Sequence, residues 1–189
     1  MELRLKFFYK IRVLLIVAGL LLCTSPQAIA DQYPDEASLF KAAYIYNFAK
    51  LVSWPQDTWL SPEMPFNLCI LGEDNVSRAL NKLGGRKIKG HDVLVQSFSK
   101  QPPMGLCQLL YVAQNIKLDR RWVKRSVGEN AVLSISEVPG FLKQGGVIEL
   151  FREDQRTRFK INQKNAIQLG LDISSRLLRL ATVVEGAAP

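Results

Sequence analysis

Residue types able to do chemistry are few in this chain, and they are not clustered. The single histidine, His91, lies between Gly90 and Asp92. A Ser-His-Asp or Cys-His site needs an imidazole as base, so any such site would have to run through His91, whose setting reads as a solvent-exposed turn. Zinc needs grouped Cys, His or carboxylate ligands, and one histidine with well-separated cysteines does not group them. Glu73-Asp74 and Glu153-Asp154 are adjacent acidic pairs in loop-like sequence. They read as turn solvation, although sequence alone leaves a catalytic carboxylate pair open. Gly84-Gly85 and Gly145-Gly146 lack the spacing of a phosphate-binding loop or a dinucleotide fingerprint, and both read as turns. No catalytic residue, metal ligand or cofactor is expected. The residue types favour a binding or regulatory protein over an enzyme.

The first thirty residues read as an export signal. Arg4, Lys6, Lys10 and Arg12 form a basic start, Val13 to Cys23 an apolar run, and Ala28-Ile29-Ala30 a small-x-small site that places the cut before Asp31. The apolar run is well short of the roughly 18–20 residues needed to cross a bilayer, so cleavage is favoured over an anchor. Leu22 ahead of Cys23 is too large for a lipidation site. The mature chain, 31–189, is then one domain working outside the cytoplasm. Its thiols are Cys69 and Cys107, and in an oxidising compartment these favour one disulfide. Two separately buried thiols are the alternative. Such a bridge is worth roughly 3–4 kcal/mol on the loop-entropy account. Of the formal charge of +8, the signal carries four basic residues and one acidic, so the mature chain keeps a moderate positive balance. That balance suits acidic protein surfaces or anionic headgroups, with an ordinary solvated surface as the plainer reading. The compartment and the scatter of the basic residues argue against nucleic acid.

The periodicity predicts the elements that must position these residues. Glu36 to Val52 reads as an amphipathic helix, with Leu39, Ala42, Ala43, Tyr46, Ala49 and Lys50 on three- and four-residue steps. Phe40, Ile45 and Phe48 widen its apolar side, and Trp54-Pro55 stops it. Phe66 to Leu71 is a buried strand. Asn75 caps a short helix to Leu83, which Gly84-Gly85 ends. Lys87 to Lys89, His91 to Phe98, Leu109 to Ala113 and Ala131 to Ile135 read as strands, with a helix over Leu118 to Val127. Gly145-Gly146 opens a strand through Phe151, and Arg156 to Ile161 returns as a hairpin across Glu153-Asp154-Gln155. Lys164 to Leu169 and Ser174 to Val183 read as helices. The expected fold is a single α/β domain with a central mixed, largely parallel sheet flanked by helices.

Several segments carry a resemblance. Lys41 to Lys50 (KAAYIYNFAK) followed by Trp54-Pro55, then Phe66 to Gly72 (FNLCILG), Cys107, and Leu133 to Ser136 with Pro139-Gly140-Phe141 come in order. Gly145 to Leu150 (GGVIEL), Arg158 to Asn162 (RFKIN) and Gly170 to Ala181 (GLDISSRLLRLA) complete the series, which resembles the YfiR family of periplasmic regulators over about residues 37 to 182. The resemblance implies a periplasmic protein that binds the periplasmic sensor domain of an inner-membrane diguanylate cyclase and holds it inactive. Cyclic-di-GMP would fall, and biofilm and exopolysaccharide output with it. It also implies a homodimer and an outer-membrane lipoprotein that sequesters the repressor. Cys69 and Cys107 fall where the family's structural disulfide would lie. A second cysteine pair found in some members near Pro139 to Leu150 has no counterpart here. Candidate partner-binding residues are Tyr46, Asn47 and Trp54, with Tyr44, on an aromatic face of the first helix, and Ile148, Lys160 and Ala166 around the hairpin and the helix after it. Core packing is the competing role for these aromatics. The alternative function is a periplasmic small-molecule-binding module, with ligand at the carboxyl ends of the strands.

Overall fold

A computed structural model of the chain describes residues 34–124 and 130–184. The export signal and the cut before Asp31 lie outside the described residues, as does the end of the helix expected to reach Val127.

Asp35 opens the first helix, α1 (Glu36–Lys50), by accepting a 2.7 Å bond from the Ser38 amide. Those bonds from Ser38 hold its carboxyl below the usual carboxylate range. The seam of α1 is Ala42, Ile45, Phe48 and Ala49. Leu39 and Phe40, which the periodicity put on or beside the apolar side, face solvent instead, as does Tyr44. The chain leaves α1 into a two-residue strand, β1 (Val52–Ser53), and returns through β2 (Phe66–Leu71), whose six residues are all buried. A second helix, α2 (Asn75–Leu80), is capped by Asp74, not by Asn75. The Asp74 carboxylate and the Ser77 hydroxyl each accept the other residue's amide at 2.7 Å, which is a capping box.

Then come β3 (Lys87–Ile88), β4 (His91–Phe98), β5 (Leu109–Val112), the short helix α3 (Arg120–Trp122) and β6 (Leu133–Ser136). The sixth strand starts two residues after the apolar run suggested, because its pairing with β5 begins at Leu133, opposite Leu109. Strands β7 (Ile148–Glu153) and β8 (Arg156–Asn162) form the expected hairpin, closed by Asp154 and Gln155 at φ 46° and 60°. Two positive φ angles in a two-residue loop match the right-handed twist of the strands it joins. Helix α4 (Gln163–Gln168) is capped by the Asn162 side chain, strand β9 (Asp172–Ile173) pairs with β1, and α5 (Ser175–Leu180) is capped by Ser174. The last expected helix stops at Leu180. The β-branched run that follows is a strand, β10 (Thr182–Val184), lying parallel to β8.

Among the described residues, eight strands form one sheet in the order β10-β8-β7-β6-β5-β2-β4-β3. Only β7/β8 and β3/β4 are antiparallel neighbours, so the sheet is mixed and largely parallel. Alternation splits its core in two. One face carries the row Ile70, Tyr111, Ile135, Ile148 and Ile161, in register across five strands, under α1 and α2. The other carries Cys69, Leu71, Leu110 and Val112 against Trp122, Val123 and Phe141. Cys69 and Cys107 are bonded there, with Cα atoms 5.8 Å apart, so the alternative of two free thiols is set aside. No helix among the described residues is long and apolar enough to cross a membrane.

Candidate partner-binding surface

Helix geometry puts Ala37, Phe40 and Tyr44 on one stripe, three and four residues apart. The stripe is exposed at its start: Phe40 is 60% and Tyr44 43% accessible. Further along it turns inward, because Tyr44 stacks on Phe48 with centroids 6.1 Å apart, and Phe48 packs on Phe159 of β8 at 4.6 Å. A core contact thus holds Tyr44 in place. Beside them stands the tip of the β7–β8 hairpin. Together Ala37, Phe40, Tyr44, Gln155, Arg156, Thr157 and Arg158 line an open cleft of about 430 Å³. Arg156 is exposed and has no ion-pair partner among the described residues, while Arg158 meets Glu153 at 3.6 Å in an exposed pair. The cleft is aromatic on one wall and cationic on the other.

The six residues picked from sequence do not converge on one patch. Tyr46 is half-buried. Its hydroxyl donates to the Lys87 carbonyl at 3.0 Å, and Lys50 and Arg86 flank its ring at 5.3 and 5.9 Å. It braces α1 against β3. Asn47 is exposed on α1, and Lys160 is half-buried with its ammonium 4.9 Å over the Phe151 ring. The other three have no surface to offer. Trp54 is buried edge-on to Phe66 and donates its indole N–H to the Gln108 carbonyl at 3.1 Å. Ile148 is fully buried in the central row of the core, and Ala166 is fully buried in α4. Ile148 had been expected at a partner surface, but its side chain stands on the sheet face that packs into the core beneath the helices, in register with Ile135 and Ile161. Phe40, Arg156 and Arg158, which line the cleft, were not among the residues picked from sequence. The available signal was the charge interleaved on the returning strand of the hairpin, and no periodicity could show that the start of α1 overhangs it.

A group of titratable side chains elsewhere is engaged internally. The Tyr111 hydroxyl donates to the Asp74 carboxylate at 2.9 Å, and the Gln114 amide donates to the same oxygen at 3.1 Å. Burial first, then the charges of Asp74 and Glu137, push the Tyr111 hydroxyl far above its ordinary range, so it stays protonated and donating. Lys41 of α1 pairs with Glu137, just past β6, at 2.5 Å with both side chains largely buried. Asp74 is therefore a cap and a network hub, not the turn-solvating residue expected. These groups crowd the carboxyl ends of β2, β5 and β6, where open α/β sheets hold ligands. His91 also departs from expectation. It begins β4, half-buried, with its ring stacked on Trp59 at 4.4 Å and Nδ1 at 2.7 Å from the Met64 carbonyl oxygen. Among the described residues, no group of three or more His, Cys, Asp or Glu side chains is placed to hold a metal.

A family model described as YfiR/HmsC-like matches residues 38–182, from α1 into β10. No curated protein matches the chain.

Proposed function

The chain belongs to the YfiR/HmsC-like family, whose members regulate diguanylate cyclase signalling, and from that premise we propose that it is a periplasmic repressor of one such enzyme. In this reading it binds the periplasmic sensor domain of an inner-membrane diguanylate cyclase and holds the enzyme inactive, lowering cyclic-di-GMP and restraining biofilm output. An outer-membrane lipoprotein competing for the repressor would release the enzyme, and the repressor itself would act as a homodimer. The observation that carries the reading is the extent of the family match, which takes in both faces of the sheet and its covering helices. Repression of this kind is a population shift. The protein must bind the inactive cyclase more tightly than the active one, by about 10⁴-fold to drive an equilibrium from 1:99 to 99:1. The internal pairing of Tyr111 with Asp74 and of Lys41 with Glu137 weighs against the small-molecule reading, because it engages the polar groups at the strand ends where a ligand would sit.

The test is cyclic-di-GMP in cells with and without the gene, repeated after deletion of the candidate cyclase. The repressor reading expects the nucleotide to rise on loss of the gene only while the cyclase is present. An unchanged level in both backgrounds removes it.

A further inference from the structure

We propose that the cleft between α1 and the tip of the β7–β8 hairpin anchors a segment of the partner protein that presents a carboxylate beside a large apolar side chain. The proposal rests on the repressor reading and names the surface and the chemistry by which it works. Its occupant is a segment of the cyclase's sensor domain.

Four properties of the cleft argue for it. First, its charge is one-sided: Arg156 and Arg158 line it and no acidic residue does. Arg156 lacks an ion-pair partner among the described residues, and Arg158 holds Glu153 only at 3.6 Å with both side chains about half exposed. Exposed pairs of that kind are worth little, so exchange for an incoming carboxylate costs little. A guanidinium fork can take that carboxylate through two parallel bonds. Second, Phe40 and Tyr44 supply the apolar wall, and Tyr and Arg are the residue types that dominate protein interfaces. Third, the Tyr44 part of that wall is already in place. Tyr44 is held by Phe48 and Phe48 by Phe159, so little side-chain freedom is lost on binding. Fourth, the cleft is open, with Phe40 and both arginines exposed. A free small molecule would stay half wet there, whereas ligand sites usually bury most of their guest. At about 430 Å³ the cleft takes one or two side chains and serves as the anchor of a larger interface. A second copy of this chain is disfavoured as occupant, since it brings the same positive charge to a cationic wall.

The test uses the purified mature chain and the purified sensor domain of the cyclase whose deletion abolishes the cyclic-di-GMP effect. Binding is measured by calorimetry for the wild type, for Phe40→Ser, Arg156→Glu and Arg158→Glu, and for Leu60→Ser as an exposed control outside the cleft. All four positions are at the surface, and thermal melts confirm that each variant folds. The expected result is a loss of about tenfold or more for Phe40→Ser and Arg156→Glu, with Leu60→Ser unchanged. Arg156→Glu should also flatten the salt dependence of binding. If the wild type binds and the cleft variants bind equally well, the cleft is overturned while the repressor reading stands. If the wild type does not bind and cyclic-di-GMP is also unmoved by the gene, both fall. If the variants change self-association in sedimentation velocity but not sensor binding, the cleft joins copies of this chain and the proposal is overturned.

Discussion

Asp74 combines three roles in one side chain: it caps α2, receives the buried Tyr111 hydroxyl and receives the Gln114 amide. Replacing Tyr111 with Phe removes the hydroxyl but keeps the ring in the central row. At pH 8 the variant should lose about 1.5–3 kcal/mol, the worth of a hydrogen bond to a charged group, read from urea unfolding. The sign then changes with alkali. The folded-state pKa of Tyr111 is raised, so its contribution is complete below the unfolded value near 10 and is lost as pH rises beyond it. The gap between wild type and Tyr111→Phe should therefore shrink above about pH 10 and then reverse. A gap that is flat from pH 8 to 11 would mean that the hydroxyl is not buried as described. Reading Asp74 as mere turn solvation failed because its partner Tyr111 lies on another strand, 37 residues away. Local sequence shows an acid before a short helix and nothing of the tyrosine.

The elements were legible wherever their patterns are local. The run Phe66 to Leu71 is a strand with the bounds its continuous apolar character predicts, and the β7–β8 hairpin turns at the charged loop between its arms. Gly145-Gly146 was read as a turn that opens a strand, and the two glycines prove unequal. Gly145 takes φ +104°, whereas a Cβ on Gly146 would fall 2.2 Å from the ring of Phe141. Phe141 is fully buried under the sheet and its ring has nowhere to go. Gly146→Ala should therefore destabilise by roughly 1–3 kcal/mol, seen as a lower melting temperature. The disulfide ties β2 to the turn before β5. Replacing Cys69 and Cys107 together with Ala should cost roughly 3–4 kcal/mol. Wild type in reductant should approach the same midpoint if the bond, rather than the packing of the sulfurs, carries the effect. The strand β10 was missed because three residues, Thr182 to Val184, directly follow a helical pattern. Their strand character comes from the open edge of β8.

At the scale of the whole molecule, the chain carries a formal net charge of +8, and the two arginines of the hairpin tip add to it locally. If the cleft takes a carboxylate of the sensor domain as proposed, association should be electrostatically steered, so its on-rate should fall as ionic strength rises from about 0.05 to 0.5 M. Stopped-flow mixing reads this directly, and a salt-independent rate would leave charge without a role. The sequence by itself determined most of the longer elements, the mixed and largely parallel sheet, the pairing expected of Cys69 with Cys107, and the family. All of these rest on patterns written within a segment or on a series of segments in fixed order. It did not determine which side of an apolar helix meets the core. Leu39 and Phe40 have the same hydrophobic character as Ile45 and Phe48, and only the position of the sheet beneath α1 makes the first pair surface and the second pair core. The same holds for Ile148, whose apolar strand is buried by neighbours distant in sequence, and for the cleft, whose two walls lie more than a hundred residues apart along the chain. Solvent exposure belongs to the packed arrangement as a whole, so it was decided only when the long-range contacts formed.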